Sequence, residues 1–268
     1  MSETLNKRKI TVRTFAQLAQ QGKTAEYLFW VGSAGSYDDR AKKIIRDFVK
    51  LLEFAKVDYA VLGTEEIDTG DSAKRAGNEF LFQMQAFQII ELLKAYEVKR
   101  IITCDPHDFN ILKNEYTELG GNYDVWHHTQ FLQNLINEGK LQLSDQFFSG
   151  KTITYHDPCY LGRGNSEYAA PRNILNKLSG KLVEPERFAS KSFCCGAGGA
   201  QMFKEAEKGT KEVFIERTEE LLKLKPQIIA TACPFCMTML TDGVKMAEKK
   251  DEIQVLDIAE ILVRSLEL

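Results

Sequence analysis

The sequence lacks the features that mark membrane-spanning, secreted and nucleotide-binding proteins. No apolar run approaches the roughly 20 residues that a membrane-spanning helix needs, and the amino terminus has no apolar core of a signal peptide. No phosphate loop is present, and neither glycine-rich segment has dinucleotide-binding spacing. These absences predict a cytoplasmic protein without a transmembrane segment. Any hydride transfer is assigned to another subunit, because no flavin or nicotinamide motif is visible.

A strong excess of charge is also missing. The chain has 35 basic and 38 acidic residues, and its formal net charge is −3. This balance argues against nucleic acid or an anionic membrane as the main partner. Only six residues are cysteine. Because cysteines stay reduced in the cytoplasm, their presence there favours metal or redox chemistry over structural disulfides.

Five of the cysteines fall in a frame that the first half of the chain repeats without sulfur. These five are Cys159, Cys194, Cys195, Cys233 and Cys236. A shift of 126 residues places Ser33, Asp68 and Thr69 on the first three, and a shift of 128 residues places Asp105 and Asp108 on the last two. The repeat indicates a duplicated fold with one thiolate-rich site and one site that has lost its thiolates.

Short apolar runs predict the same order of strands in both halves. The eight predicted strands are Tyr27–Val31, Val57–Leu62, Arg100–Thr103, Tyr123–Trp126, Thr152–Tyr155, Lys181–Glu184, Ile228–Thr231 and Ile253–Leu256. Helices alternate with them, so we predict an α/β fold of two duplicated βα lobes with mainly parallel sheets, related by a pseudo-twofold axis. The first lobe takes residues 1–145 and the second takes residues 146–268. The marked positions follow strands, at the sheet edge where ligands usually bind, so the two sites are expected to face each other between the lobes.

Helical periodicity predicts the elements between the strands. They are Arg40–Phe54 with Asp38 or Asp39 as its cap, one long helix from Asp71 through Leu93, and shorter helices at Asn110–Glu118, Thr129–Asn137, Arg172–Leu178, Val213–Leu224, Met237–Met246 and Ile258–Ser265. Thr129 is the predicted cap of its helix, and Asp257 is the predicted cap of the last helix.

The five cysteines are arranged as metal ligands would be. Thiolates are soft ligands that suit iron–sulfur clusters and zinc. Cys233 and Cys236 follow a predicted strand and are close enough for both sulfurs to reach one metal. Glycines after the adjacent Cys194 and Cys195 let the backbone turn sharply beside a cluster. Five sulfurs from three loops exceed the four of a tetrahedral zinc site, so an iron–sulfur cluster is favoured and zinc is the alternative.

The spacing Cys159-x34-Cys194-Cys195-Gly196-x36-Cys233-x2-Cys236 resembles the cysteine-rich CCG domain. That domain occurs, usually in two copies, in heterodisulfide reductases and in iron–sulfur subunits of lactate- and glycolate-oxidising systems. Trp30–Tyr37 and Leu112–Tyr116 resemble the first copy, so the resemblance covers essentially the whole chain. It implies one [4Fe-4S] cluster, non-cubane in some members, with the five cysteines as ligands of its iron.

The resemblance implies one-electron transfer within a multi-subunit oxidoreductase. It points to oxidation of a 2-hydroxy acid such as lactate or glycolate, or to heterodisulfide chemistry. The implied partners are other iron–sulfur or flavin subunits, together with a small-molecule substrate. Two other functions stay open, namely a non-catalytic scaffold with zinc at the five cysteines and an assembly module whose first half docks a partner.

The first site departs from the family, because Ser33, Asp68, Asp105 and Asp108 stand where the family has cysteine. Their oxygens are hard ligands that hold an iron–sulfur cluster poorly, so we predict one cluster per chain. One alternative is a hard-metal site of these three aspartates with His107, and the other is a solvated polar pocket. Cys104 is one residue out of register, which predicts a buried structural thiol.

Other polar residues have open roles. His127 and His128 have a capping or packing role, or deliver protons to the site. His156 and Asp157 precede Cys159 and either tune the cluster by hydrogen bonding or only form a turn. Arg163 is a candidate for binding an acidic substrate or a partner.

Overall fold

The chain folds into two parallel sheets with helices packed on them. A computed structural model describes residues 11–143, 146–205 and 208–268. Each sheet has four strands. This arrangement confirms the predicted α/β fold of two similar lobes. Residue 145, the predicted end of the first lobe, lies outside the described residues, so the exact boundary stays a prediction.

The two sheets have the same strand order. In the first lobe the order is β2-β1-β3-β4, with β1 at Tyr27–Trp30, β2 at Tyr59–Ala60, β3 at Arg100–Thr103 and β4 at Asp124–His127. In the second lobe the order is β6-β5-β7-β8, with β5 at Thr152–Tyr155, β6 at Lys181–Leu182, β7 at Ile228–Thr231 and β8 at Gln254–Asp257. Thr103 pairs with His127 as Thr231 pairs with Asp257, so the register is also repeated. All eight predicted strands are present, although β2 and β6 are shorter than predicted.

The helices lie between the strands and cover the sheets. The α-helices are α1 (Phe15–Gln20), α2 (Gly32–Tyr37), α3 (Asp39–Phe54), α4 (Asp71–Arg75), α5 (Glu79–Ala95), α6 (Pro106–Asn110), α7 (His128–Asn137), α8 (Gly162–Asn165), α9 (Ala169–Leu175), α10 (Val213–Leu222), α11 (Pro234–Met246) and α12 (Ile258–Ser265). Short 3₁₀ segments are Gly63–Glu65, Tyr116–Leu119, Ala189–Lys191 and Gln201–Phe203, and Ile111–Glu115 forms a π-helical turn. Within the described residues, no helix is both long and apolar enough to cross a membrane.

Two of the predicted helices differ from the structure. The single helix predicted from Asp71 through Leu93 is wrong, because α4 ends at Arg75 and α5 begins at Glu79. Gly77 has a φ of +85° in the link between them, a left-handed conformation that ends a helix. The helix predicted at Asn110–Glu118 begins earlier, at Pro106 in α6, and continues as the π-helical turn and a 3₁₀ segment to Leu119. Asp105 caps α6, and proline at the first helical position suits a helix start.

One hydrophobic core joins the lobes. Buried side chains from Phe15 in the first lobe to Val263 in the second form a single cluster of the described residues. Helix α3 supplies Ile44, Phe48 and Leu51 to this core and packs against α12. Because the lobes share a core, the loops at the carboxyl ends of both sheets are held in fixed positions relative to each other.

Candidate metal centre

The loop after β5 places Cys159. The His156 N–H donates to the Ala230 carbonyl at 2.9 Å, which continues the pairing of β5 with β7 for one more residue. Pro158 follows, and its carbonyl accepts from the Gly162 N–H at 2.9 Å. The turn therefore carries Cys159 from the end of the sheet into α8, with its side chain half-buried.

The adjacent pair Cys194 and Cys195 lies in a loop that glycine shapes. Gly196 has a φ of +91°, and a Cβ placed there would lie 3.2 Å from the Cβ of Val213. Glycine is therefore required both by the backbone conformation and by the approach of α10. The Gly196 N–H donates to the Cys194 Sγ at 3.3 Å, a contact that favours the thiolate form.

The start of α11 positions the remaining two cysteines. Cys233 is separated from the end of β7 by one residue and is the N-cap of α11, with Pro234 at the first helical position. The Cys233 Sγ accepts from the Cys236 N–H at 3.5 Å. A sulfur thus takes the capping role that a serine or aspartate oxygen usually fills.

The five sulfurs form one continuous group. Cys236 and Cys195 lie 3.2 Å apart, measured between their Sγ atoms. Thiol hydrogen bonds also join Cys159 to Cys194, Cys194 to Cys195, and Cys236 to Cys233. All six cysteines lie within the described residues and none forms a disulfide. Cys104 is buried apart from the group, as predicted.

The pKa values of the five cysteines differ, because some sulfurs accept hydrogen bonds and others donate them. Hydrogen bonds from Cys159 and Cys195 lower the pKa of Cys194. Burial opposes ionisation of Cys233, but hydrogen bonds from Cys236 and His107 lower its pKa as well. Hydrogen bonds to Cys194 raise the pKa values of Cys159 and Cys195, and a hydrogen bond to Cys195, with Cys233 next, raises the pKa of Cys236. Two preformed thiolates with three thiols beside them are ready to release protons to a metal.

His107 crosses from the first lobe to this group. Its Nδ1 lies 3.0 Å from an Asp71 carboxylate oxygen, and its ring also hydrogen-bonds Cys233. The ring stacks on Tyr160 with centroids 4.2 Å apart and meets the edge of Phe235. Burial alone would lower the pKa of His107, but Asp71 and Cys233 raise it well above its ordinary value. The first lobe thus supplies a cation beside a thiolate of the second.

His156 also lies close to the sulfurs. One of its ring nitrogens is within 4.8 Å of the Cys195 and Cys236 sulfurs. Its Nδ1 accepts a hydrogen bond from the Arg217 Nε at 3.1 Å, and both residues are buried. Burial, with Arg217 next, lowers the pKa of His156 well below its ordinary value, so the ring is neutral.

The first lobe repeats these contacts with oxygen in place of sulfur. Thr69 donates to an Asp108 oxygen at 2.7 Å, where Cys236 contacts Cys195 in the second lobe. The Gly70 N–H donates to Asp68 at 2.8 Å, as Gly196 does to Cys194. Asp105 caps α6 through the His107 N–H, as Cys233 caps α11. The first-lobe loops that lack cysteine are therefore stabilised by hydrogen bonds equivalent to those of the cysteine loops.

Neither predicted alternative describes the first site. The solvated polar pocket is wrong, because Thr69, Asp105 and Asp108 are buried. Burial raises the pKa of Asp105 to about 7 and raises the pKa of Asp108 well above its ordinary value. The four-residue hard-metal site is also not assembled, since the described residues bring only Asp105 and His107 together, with Cys233. Ser33 is exposed on α2.

Sequence reasoning missed three residues of these sites. Glu66 accepts from the Val31 and Gly32 N–H groups at 3.1 and 2.7 Å and so fixes the loop after β1. Asp71 orients His107, and Arg217 orients His156. Asp71 and Arg217 lie on helices far from their partners in sequence, so no local pattern marked them.

The histidine pair at the start of α7 connects the lobes. His128 Nε2 lies 2.9 Å from an Asp257 oxygen, and His128 Nδ1 lies 3.2 Å from His127 Nε2. His127 is the N-cap of α7, so the prediction that Thr129 caps this helix is wrong. Asp257 caps α12 through the Ala259 N–H, as predicted. The capping and packing role is therefore the one that the contacts support.

Arg163 and Asp157 both support the loop of Cys194. Arg163 donates to the Ser192 carbonyl, two residues before Cys194. Asp157 forms a two-point ion pair with Arg172, with N–O distances of 2.7 and 2.8 Å, and accepts from the Ala189 N–H. Both residues therefore have structural contacts. A role of Arg163 in binding a substrate or partner stays a prediction.

A cavity of about 290 Å³ opens beside the centre, between the lobes. Ser33 and Tyr37 line it from the first lobe. Phe203 and Phe235 line it from the second, and Phe235 stands between Cys233 and Cys236. Its walls are largely apolar side chains. Such a cavity can hold a small, mostly apolar molecule within contact of the cysteine helix.

Comparison with known proteins agrees with the geometry of the centre. Residues 153–241 match the family model of the CCG cysteine-rich domain, and this range contains all five cysteines. The match confirms the resemblance seen in the sequence. Residues 153–241 of the second lobe are therefore similar to the CCG cysteine-rich domain.

Two relatives that match almost the whole chain are named as oxidoreductases. The chain is 46% identical over 255 residues to the probable iron-sulfur-binding oxidoreductase FadF of Bacillus subtilis. It is 45% identical over 256 residues to the EtfAB:quinone oxidoreductase of Syntrophomonas wolfei. These matches cover 95% and 93% of this chain, and 36% of each relative. The chain thus spans about a third of the length of these two relatives.

A more distant relative points to the same class. The chain is 30% identical over 255 residues to one subunit of the dihydromethanophenazine:CoB–CoM heterodisulfide reductase of Methanosarcina barkeri, covering 91% of this chain and 60% of that protein. The names of these three relatives are all those of oxidoreductases or their subunits, which agrees with the predicted class.

The donors at the centre fit an iron–sulfur cluster. Five cysteine sulfurs converge there, and sulfur is the donor that iron–sulfur clusters require. The His156 Nε2 is buried without a hydrogen-bond partner among the described residues. A buried N–H of this kind needs a hydrogen-bond acceptor, and a sulfide of a bound cluster would supply one.

Proposed function

We propose that the chain transfers electrons through one [4Fe-4S] cluster held by Cys159, Cys194, Cys195, Cys233 and Cys236. The convergence of these five sulfurs into one hydrogen-bonded group is the observation that carries the proposal. A bound cluster would supply one-electron redox chemistry. The protein would hold it in a largely dry site, because Cys195, Cys233 and Cys236 are almost fully buried.

The number of sulfurs bears on the type of centre. A tetrahedral zinc site takes four ligands and an ordinary cubane cluster takes four cysteines, so a fifth cysteine exceeds both. Cys194 and Cys195 are adjacent in sequence, and both belong to the hydrogen-bonded group. The fifth sulfur therefore supports a non-cubane cluster over a cubane one, and a cluster over the zinc-bound scaffold.

The surroundings of the cluster would be asymmetric. On one side the protonated His107 would stabilise negative charge at Cys233, since these two residues hydrogen-bond. On the same side, the cavity that Phe235 lines opens beside this histidine, because the His107 and Phe235 rings meet edge to face. We propose that electrons leave or enter through this side, and that the chain works in the cytoplasm, where its cysteines stay reduced.

The partners are proposed from the relatives. The names of two relatives describe an iron–sulfur-binding oxidoreductase and an EtfAB:quinone oxidoreductase. We therefore propose that the chain exchanges electrons with flavin or iron–sulfur subunits or domains. Heterodisulfide chemistry is supported by the name of the third relative, and 2-hydroxy acid oxidation rests on the family resemblance alone.

One surface supports docking of such a partner. Phe80, Met84 and Phe87 are exposed on α5, at the spacing that places them on one side of a helix. An apolar stripe of this kind is typical of an interaction surface. Docking through the first lobe would accompany electron transfer in the second.

Electron uptake tests the proposal. The chain, purified anaerobically, should be coloured, should bleach on titration with dithionite, and should take up about one electron per chain with a paramagnetic signal from the reduced cluster. A colourless protein that takes up no electrons and holds one zinc would contradict the proposal and support the scaffold.

A further inference from the structure

His156 and Arg217 form a buried pair behind the cysteine sulfurs that the electron-transfer function does not explain. Both are almost completely buried, and the Arg217 Nε donates to the His156 Nδ1 at 3.1 Å. Arg217 also donates to a Glu220 oxygen at 2.9 Å and to the Arg187 carbonyl at 3.0 Å. A guanidinium placed by three such bonds has little freedom to move.

The arginine fixes which nitrogen of His156 carries the proton. A guanidinium only donates hydrogen bonds, so the Nδ1 that faces it must accept through its lone pair. A neutral imidazole has one N–H, which is then on Nε2. The Arg217 contact therefore presents the Nε2–H of His156 as a donor.

The described residues leave that donor unpaired. Among them, the His156 Nε2 is buried and makes no hydrogen bond. The ring lies next to the sulfurs, with one nitrogen within 4.8 Å of the Cys195 and Cys236 Sγ atoms. Since Nδ1 accepts a hydrogen bond from Arg217, Nε2 is the ring nitrogen that can interact with the sulfurs.

We propose that the His156 Nε2–H donates a hydrogen bond to a sulfur of the bound cluster, and that Arg217 holds the histidine in the tautomer that allows it. The proposal rests on the cluster proposed above. His156 is then a positioning residue and not an iron ligand, because a protonated Nε2 has no lone pair to offer a metal. Hydrogen bonds to cluster sulfurs stabilise the more negative, reduced form and so raise the reduction potential.

The nearest competing role is that of a ligand. His156 with Cys195 and Cys236 has the residue types and the proximity of a metal site. Coordination through Nε2 would require the proton to move to Nδ1, where it would oppose the Arg217 N–H. The geometry therefore favours donation over coordination.

The test compares variants of the anaerobically purified chain. His156→Leu removes the donor, and its cluster should have a more negative midpoint potential than the parent. His156→Gln keeps an N–H at similar reach and should recover most of the shift. A potential unchanged in His156→Leu, with iron content retained, would overturn the proposal. A parent chain without iron would instead overturn the proposed function.

A spectroscopic measurement on the parent protein tests the same hydrogen bond and does not depend on the folding of a variant. With 15N-labelled histidine, pulsed electron paramagnetic resonance of the reduced cluster should show a weak nitrogen coupling. It should also show a nearby proton that exchanges in D₂O. A strong coupling, as from a nitrogen bound to iron, would make His156 a ligand and refute the proposal. Loss of the weak coupling in His156→Gln prepared with unlabelled glutamine would assign it to this residue rather than to His107.

Discussion

At the scale of single residues, identical backbone positions in the two lobes carry different chemistry. Cys233 and Asp105 both follow a strand, both precede proline and both cap a helix. Aspartate is among the best N-cap residues, so its oxygen keeps the loop in place where sulfur is lost. Aspartate at this position therefore supports the same strand–loop–helix arrangement while offering only hard ligands.

The first prediction separates ligand cysteines from the structural one. Cys233→Ala and Cys194→Ala should each abolish the visible absorption of the cluster, because each removes a thiolate of the sulfur group. Cys104→Ala is the matched control. Cys104 is buried and outside that group, so its replacement should cost about 1 kcal/mol of stability and leave the spectrum intact. Bleaching by Cys104→Ala would show that the assignment of the ligands is wrong.

The second prediction concerns the hydrogen bond that closes the first site. Thr69→Val should lower the free energy of unfolding by about 1–3 kcal/mol, because it leaves the buried Asp108 carboxyl without its donor. Thr69→Ser keeps a hydroxyl and should lose much less. Urea denaturation measures both variants, and their iron content should equal that of the parent. Equal stability of Thr69→Val and Thr69→Ser would show that this hydrogen bond does not stabilise the fold.

At the scale of elements, the sequence predicted what local patterns determine. All eight strands could be predicted because short apolar runs are typical of buried parallel strands. The break at Gly77 was missed because the apolar periodicity continues across it, although the backbone there is left-handed. Helix α2 was also missed, since Gly32–Tyr37 consists mostly of small residues with no apolar pattern.

The candidate site could be predicted only in part, because local spacing is visible in the sequence and contacts across the fold are not. The five cysteines were recognisable from their spacing, which local sequence records. His107, Asp71 and Arg217 act at the centre through contacts made across the fold, and His107 reaches the cysteines of the other lobe. Such contacts depend on how elements pack, so a single sequence does not reveal them.

The third prediction tests the start of α3, where the sequence left two candidates for the cap. Asp38 accepts from the Ala41 N–H at 2.7 Å, so Asp38→Ala should lower the free energy of unfolding by about 1 kcal/mol. Asp39 stands in the first turn and is exposed. Asp39→Ala should therefore lower the stability much less than Asp38→Ala does. Thermal or urea unfolding distinguishes them, and a larger loss for Asp39→Ala would reverse the assignment.

At the scale of the whole molecule, polar contacts across the lobes supplement the shared core. Arg40 and Lys43 of the first lobe lie 2.5 and 2.7 Å from the oxygens of the buried Glu260 in the second. Burial alone would raise the pKa of Glu260, but Arg40 lowers it below its ordinary value of 4.5. The folded state therefore holds this carboxylate ionised more readily than the unfolded chain does.

The fourth prediction follows from the sign of that shift. A lowered pKa in the folded state gives stability that is present above about pH 4.5 and is lost as the pH falls through the folded value. Arg40→Met should therefore cost about 1–2 kcal/mol at pH 7 and progressively less below pH 4.5. Lys42→Met, which breaks the exposed pair with Asp39, should change the stability much less than Arg40→Met does. A cost of Arg40→Met that does not change with pH would contradict this account.

The fifth prediction addresses the central claim, that a duplicated fold keeps one cluster site and has closed the other. The most direct measurement is the content of iron and acid-labile sulfide per chain after anaerobic purification or reconstitution. Only the second lobe has soft ligands, so both values should be about four per chain. Iron near eight would show that the first lobe also binds a cluster. One zinc without sulfide would show that the cysteines hold no cluster at all.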